Sequence, residues 1–321
     1  MSRLVKKLGL IFMAFVLLVS SFSFMNLTTV KAAEAGNTKI TIGTIKNTSA
    51  VPVVMGKLGH TFTRNNVEVD VKSFDNNTEL NEAIAQGTVN VAVTNLVSYA
   101  SIAKDNSIWK IAGTMPGYYS LVANKKFKSI KSLKGKTIAV DKKDMSKLYL
   151  KNLLKKNKVK LSGVKLSQVD SEADRAAAVK DGKADAAVVE ETSLSQAKAN
   201  GAKVLNVQKS KSDNGNIIIM STKFTSKNAS STNIVISTIN EEIKTLNDSD
   251  SYMLGNDVFR QWNITSEAAA KLNKQDVSFK KVHKVKRADF NKAFKYAKSQ
   301  KLYKGKVNYK KSNLKIKEVK K

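Results

Sequence analysis

The sequence predicts an α/β protein of two lobes, two sheets with flanking helices and two crossover hinge strands. Three observations predict it. Short β-branched runs alternate with segments of helical apolar spacing, the pattern of strand–helix units around a largely parallel sheet. That pattern begins near residue 39 and restarts near residue 137, and a strand near residue 217 returns to the first unit. No proline-rich or glycine-rich linker separates the halves, since Pro52 and Pro116 are the only prolines.

In the first unit residues 39–44 read as a strand, followed by Val51, Val54, Met55 and Leu58 on one helical face. Pro52 falls in the first turn of that helix, where its missing N–H costs nothing. Residues 67–74 alternate like a strand, 78–86 have helical spacing, and 89–93 and 109–113 are further strands. In the second unit 137–140 is a strand and 145–157 an amphipathic helix carrying Leu150, Leu153 and Leu154. A strand at 164–169, a helix at 172–180 and a buried strand at 186–189 complete it. After the returning strand at 217–220 the chain is mainly helical, with Ile236, Ile239, Ile243 and Leu246 in one stripe. Crossovers are expected near 122–126 and 210–216. The first lobe is then 34–123 plus 215–321, with a helical, basic C-terminal part, and the second is 124–214.

Charge narrows the partners. Of 321 residues, 56 are Lys or Arg and 26 are Asp or Glu, a formal charge of +30. Such a field bears on partners and solubility rather than on fold. Nucleic acid, anionic membrane and anionic wall polymer are the candidates, and the N-terminus chooses among them. Arg3, Lys6 and Lys7 precede an uncharged apolar run from Leu8 to Phe24. Small residues follow as Val30-Lys31-Ala32 and Ala33-Glu34-Ala35. This is the layout of a secretory signal peptide over 1–33; retained, the same run would be a membrane anchor. The predicted location is secreted and extracytoplasmic, with no nucleic-acid partner. Loss of 1–33 removes four basic residues and no acids, leaving about +26. From Lys274 to Lys321 there are 18 basic residues and three acids, yet Phe290, Ala293, Phe294 and Ala297 keep helical spacing there.

Absences exclude much chemistry. With no cysteine there is no disulfide, thiolate metal site, cysteine nucleophile or lipoprotein anchor. Two histidines, His60 and His283, cannot build a multi-histidine metal centre. A nucleophilic triad lacks its G-x-S-x-G, and Gly113-Thr114-Met115-Pro116-Gly117 lacks the Gly-Lys-Ser/Thr of a phosphate loop. No enzyme activity and no cofactor are expected.

Several segments resemble a known family in order and spacing. They are Ile42-Gly43 through Asn47-Thr48 with Ala50-Val51-Pro52, Phe74-Asp75-Asn76-Asn77 with Leu80 to Ile84, and Gly87 to Thr94. Ile130 to Val140, which holds Ser132-Leu133-Lys134-Gly135-Lys136, and Lys180 to Val188 continue the pattern. Together they are similar to type II periplasmic solute-binding proteins of ABC importers. The nearest group includes nitrate, sulfonate, taurine and thiamine-precursor binding components. Asn90 stands where that group usually has aspartate, and Glu190 where it has tryptophan. The resemblance implies the two-lobed periplasmic-binding-protein type II fold.

In a two-lobed α/β binder, ligands sit beyond the carboxyl ends of the strands, where helix N-termini aim free N–H groups inward. Four loops fit: Asn47-Thr48-Ser49, Asn76-Asn77, Thr94-Asn95, and Met145-Ser146 at the first helix of the second lobe. The same residue types cap helices and make turns. Tyr118 and Tyr119, before the crossover, offer a flat wall with a hydroxyl handle, or core packing. The resemblance puts Glu191 at a pocket carboxylate, suited to an amine or ring N–H. Of the adjacent pair Glu190 and Glu191, one is expected in the cleft and the other in solvent, since neighbours on a strand point oppositely. No arginine lies in these loops.

Two functions compete. One is the substrate-binding component of an ABC transporter, a monomer that captures a small polar solute (sulfonate-, nitrate- or thiamine-precursor-like) and delivers it to a permease. The other is a cationic surface protein held on anionic wall polymer or acidic lipid, acting in adhesion.

Overall fold

The computed structural model describes residues 39–103, 108–248, 256–272 and 277–315; the expected signal at 1–33 lies outside them. Among the described residues no helix is long and apolar enough to cross a membrane.

Two five-stranded sheets form the frame. The first holds β1 (Ile40–Ile45), β2 (Val69–Phe74), β3 (Val91–Asn95), β4 (Trp109–Thr114) and β10 (Asn216–Ser221), in the order β2-β1-β3-β10-β4. The second holds β5 (Ser120–Ala123), β6 (Thr137–Val140), β7 (Lys165–Gln168), β8 (Ala186–Val189) and β9 (Lys203–Val207), in the order β7-β6-β8-β5-β9. Each sheet is parallel but for one strand. β10 runs antiparallel to β3 and β4, and β5 antiparallel to β8 and β9.

Both exceptions are the first strand after a crossover. A short connection leaves the carboxyl end of one sheet and enters the other at its carboxyl end, so the entering strand must oppose its neighbours. The crossovers are 115–119 and 208–215. The first thus precedes the 122–126 read from sequence: 120–123 is already β5, paired with Val189 to Ala186 of β8. β5 and β9 were not anticipated, being short and flanked by polar residues.

Period-2 alternation divides the cores. On β10, Ile218 and Met220 pack with α1 (Val51–Leu58) and the long helix α9 (Ala229–Asp248), whose Ile236, Ile239, Ile243 and Leu246 form the expected stripe. Ile217 and Ile219 face the other way, toward α3 (Asn77–Ala85), α4 (Leu96–Ile102) and α12 (Arg287–Ser299). In the second sheet Ala186 and Val188 pack on Leu150, Leu153 and Leu154 of α5 (Met145–Lys156). Ala187 and Val189 pack on α6 (Glu172–Lys180) and α7 (Ser193–Ala199). Each fully buried Val, Leu, Ile or Met side chain among them contributes ~1.5–3 kcal/mol.

The basic C-terminal segment is built into this core. Phe290, Ala293, Phe294 and Ala297 are buried, and Phe294 meets Tyr99 of α4 edge-on at 6.0 Å. Gly113 of β4 lets it approach, because a Cβ there would lie 2.4 Å from Val282 Cγ1. Beyond α12, Leu314 N donates to Ile111 O at 2.8 Å, covering the edge strand β4.

Candidate functional site

The carboxyl ends of both sheets face one another, and the loops there supply the polar groups the sequence pointed to. After β1, Asn47 opens the turn Thr48–Ala50, its Oδ1 accepting from Ser49 N at 3.1 Å and Ser49 Oγ at 2.6 Å. That engagement fixes the amide so that Nδ2 reaches across to Glu190 Oε1 at 3.4 Å and Glu172 Oε1 at 3.5 Å. Thr48 Oγ1 donates to the Glu191 carbonyl at 3.4 Å. Ser49 stays with Asn47.

After β2 the two asparagines part. Asn76 caps α3: its Oδ1 accepts from Glu79 N at 3.0 Å while its Nδ2 donates to Glu79 Oε1 at 2.8 Å. That closed capping box keeps it away from the other loops. Asn77 instead donates to Asp144 Oδ2 at 3.2 Å and accepts from Asn95 Nδ2 at 3.4 Å. Asn95 caps α4, accepting from Val97 N and Ser98 N at 3.1 and 2.9 Å. Thr94 Oγ1 is buried without a hydrogen-bond partner. In the second lobe Asp144 caps α5, its Oδ1 accepting from Ser146 N at 2.7 Å and Ser146 Oγ at 2.5 Å.

Glu190 and Glu191 correct the expectation of one solvated carboxylate, for their relative exposures are 0% and 1%. They do point oppositely, but protein covers both sides. Glu191 Oε1 accepts from Tyr118 OH at 3.2 Å and Oε2 from Ser195 N at 3.0 Å. Glu190 turns to the other sheet, where Asn216 Nδ2 lies 3.1 Å from each of its carboxyl oxygens. Its own N–H donates to Glu172 Oε2. Of the tyrosines, Tyr118 stacks on Phe279 at 6.4 Å, and Tyr119 stacks on Tyr149 at 5.5 Å with its hydroxyl hydrogen-bonded to Glu190.

Gly117 of the first crossover makes this convergence possible. Its φ of +146° suits glycine, and a Cβ there would lie 2.4 Å from Glu190 Oε2, 2.5 Å from Asn216 Nδ2 and 2.7 Å from Asn214 Nδ2.

The centre is acidic inside a basic chain. Asp141, Asp144, Glu172 and Glu190 are all buried, and one guanidinium, Arg175, lies beside them with NH2 3.8 Å from Glu172 Oε1. Burial holds the Glu190 carboxyl well above the usual carboxylate range, Glu172 pushes it the same way, and hydrogen bonds from Asn216 and Tyr119 offset only part. Burial and then Asp141 raise Asp144 to about 7, against Arg175. Burial also raises Glu172, again against Arg175.

Sequence reasoning missed Glu172, Asp144, Arg175, Asn214, Asn216 and the role of Glu190. Asp144 and Glu172 stand at predicted helix starts, where acids ordinarily complement the dipole, so nothing local marked them as inward-facing. His283, which lies among lysines in the sequence, joins the end of β4 to the second crossover. Its Nδ1 is 2.9 Å from Thr114 Oγ1 and its Nε2 3.1 Å from Asp213 Oδ1. Lys286 Nζ adds a contact to Asp213 Oδ2 at 2.7 Å. His60 is exposed, in a left-handed turn at φ +55°.

Two mixed α/β sheets, joined by two crossovers and meeting at their carboxyl ends over buried polar side chains, define the class of two-lobed periplasmic-binding-protein folds. Residues 47–230, more than half of the chain, match the model of the NMT1/THI5-like family, and the chain belongs to that family. No curated protein sequence matches it. Among solved structures it is similar to the ligand-binding component of an ABC-type import system from Staphylococcus aureus, with a TM-score of 0.73 and 15% identity over 86% of this chain and 96% of that one. The periplasmic aliphatic sulphonate-binding protein SsuA from Escherichia coli gives a TM-score of 0.69 and 17% identity over 86% and 97%. The periplasmic nitrate-binding protein NrtA from Synechocystis PCC 6803 gives 0.63 and 11% over 78% and 74%. At such identities these likenesses establish the fold.

Proposed function

We propose that the protein is the substrate-binding component of an ABC importer, working outside the cytoplasmic membrane and performing no chemistry. It captures a small polar solute between its lobes, which divide at the crossovers 115–119 and 208–215, and presents it to a permease. The observation that carries this reading is the meeting of Asn47 and Asn216, from the first sheet, with Glu190 from the second. Groups contributed by both lobes to one point are what a hinge-closing binder needs, because bound solute then favours the closed arrangement. Family membership and the sulphonate- and nitrate-binding neighbours support it.

A thermal-shift screen of the secreted form tests the proposal, with sulfonates, taurine, nitrate, pyrimidines, amines and amino acids as solutes. A solute at a hundred times its Kd adds about 2.7 kcal/mol to stability, an easily read shift. A flat panel counts against solute capture.

A second reading has its own observation. Lys292, Lys295 and Lys298 stand exposed on the outer face of α12, whose inner face is buried. Such a stripe suits diffuse attachment to anionic wall polymer, and attachment of that kind weakens as salt shortens the screening length. Release of the protein from cells by molar salt supports it, and full retention rejects it.

A further inference from the structure

We infer that the far pole of the second lobe, at the amino ends of β6 and β7, is a docking face for a linear polymer of repeating phosphodiester charge. The inference rests on the surface-attachment reading above and deepens it, giving the attachment a place in the fold apart from the α12 stripe.

Two stretches of chain meet at this pole. Residues 124–136 hold six lysines and no acid, and residues 155–165 hold five lysines and no acid. All eleven lysines are exposed. Sheet pairing brings the stretches together. Thr137 lies opposite Lys165, Lys165 N donates to Lys136 O at 2.8 Å, and Gly135 N donates to Gly163 O at 2.6 Å. A surface that serves solubility alone mixes both signs of charge, and the chain has 26 acids to mix in. Among the described residues, Lys126 is the one member of this set within ion-pair reach of a carboxylate, 3.8 Å from Asp185 Oδ1. The helix dipole accounts for Lys155 and Lys156 in the last turn of α5. It does not account for 124–136, where the helical content is one short turn at 131–133.

The position suits a tether. Asp141 and Asp144 follow β6 on the cleft side, whereas Lys136 precedes it, so the length of the strand separates the pole from the cleft. A polymer held at the pole leaves the cleft and both crossovers open.

Composition selects the partner. None of the eleven is arginine, so the face has no bidentate fork for one fixed phosphate. It offers point charges on flexible stems, which suit repeated charge at variable spacing. The apolar side chains beneath are closed off. Phe127, Ile130 and Leu133 are buried, and the Nζ atoms of Lys126 and Lys136 lie 5.1 and 6.0 Å from the centre of the Phe127 ring. Among the described residues no large apolar side chain is exposed at this pole. A bilayer is thus offered nothing to insert, and nucleic-acid bases no free ring on which to stack.

The test mixes the secreted protein with poly(glycerol phosphate) in about 50 mM NaCl, where screening is weak, and reads binding by calorimetry. Two triple variants remove equal charge from two places: Lys128→Gln, Lys131→Gln and Lys134→Gln from the pole, and Lys292→Gln, Lys295→Gln and Lys298→Gln from α12. The pole variant is expected to bind about tenfold more weakly and with a shallower salt dependence, since phosphate contacts are lost. The α12 variant is expected to keep wild-type affinity. Thermal unfolding checks the fold of each; should the pole variant not fold, Lys131→Glu alone is expected to act in the same direction. Wild-type affinity in the folded pole variant, or equal losses in both variants, overturns the inference and leaves surface attachment standing. Wild-type preference for vesicles of phosphatidylglycerol and phosphatidylcholine, or for a single-stranded oligonucleotide, overturns the choice of partner. Absence of salt-sensitive binding to all three overturns the inference together with the attachment reading.

Discussion

Asn216 holds Glu190 by a two-pronged contact: one amide nitrogen lies 3.1 Å from both carboxyl oxygens. The amide opens β10 of the first sheet, and the carboxylate follows β8 of the second. This pair therefore ties the lobes together at the point where the crossovers pass, with Asn47 adding a longer contact to the same carboxylate at 3.4 Å.

Removing that donor exposes the cost of a buried carboxyl. Asn216→Ala is expected to destabilise by ~1–3 kcal/mol, the range for leaving a buried group unsatisfied. Urea denaturation of variant and wild type reads the difference directly. Loss of less than half a kilocalorie would mean Glu190 is held adequately by Tyr119 and Asn47.

Gly117→Ala is expected to be worse for binding than for folding. Its Cβ would enter the space shared by Glu190, Asn216 and Asn214, and its φ of +146° adds strain of ~1–3 kcal/mol. Calorimetry on the folded variant should find solute binding abolished. Retained affinity would place the ligand elsewhere in the cleft.

The two residues of Thr94-Asn95 should separate. Asn95→Ala removes the cap of α4 and the contact to Asn77, a loss of ~1–2 kcal/mol. Thr94→Val replaces a buried hydroxyl that has no partner and should leave Tm unchanged or higher. If Thr94→Val also leaves solute affinity unchanged, its hydroxyl does not touch the ligand.

Stability should respond to pH through the buried acids. Asp144 is raised to about 7 by burial and by Asp141, against Arg175 and the bonds from Ser146, with Asn77 donating from the opposite lobe. Unfolded, it ionises near pH 4. Between those values the folded state holds the extra proton, so this group's contribution falls as pH rises. The Tm of Asp144→Asn relative to wild type is thus expected to climb from pH 5 to pH 8. A constant difference would show that Asp144 is already ionised throughout.

Phe294→Ala tests whether the basic C-terminus is structural. Phe294 stacks on Phe290 at 4.1 Å and meets Tyr303 edge-on at 5.0 Å. The truncation is expected to cost about 3–5 kcal/mol, measured by chemical denaturation. A near-neutral result would make this segment a detachable strap.

How much was legible in the sequence differs by element. The helix at Glu172–Lys180 and the strands Thr137–Val140 and Ala186–Val189 fall where apolar periodicity put them, because burial of one face imposes a period that a single sequence displays. The crossovers could not be placed so well. β5 is four residues long and is defined by pairing with β8 and β9, partners more than sixty positions away in the chain.

The candidate site divides along the same line. Loop residues at strand ends were visible as a chemical type; Asn47 and Asn77 reach Glu190 and Asp144 of the second lobe, whereas Asn95 donates to Asn77 within its own. Asn76 has the same type and serves its own helix, a choice made by where the amide points.

By itself the sequence determined the alternation of strands and helices, the doubled unit, the basic exterior and the polar composition of the strand ends. These follow from local propensity and burial pattern, which act within a few residues. Tertiary structure alone decided that Glu190, Glu172 and Asp144 face inward together and that Asn216 and Asn214 meet them over Gly117. Their electrostatics depend on which charges burial brings within a few ångströms of each other: the three acids meet through the packing of the second lobe, and Asn47, 143 positions from Glu190, reaches it only where the two sheets meet end to end.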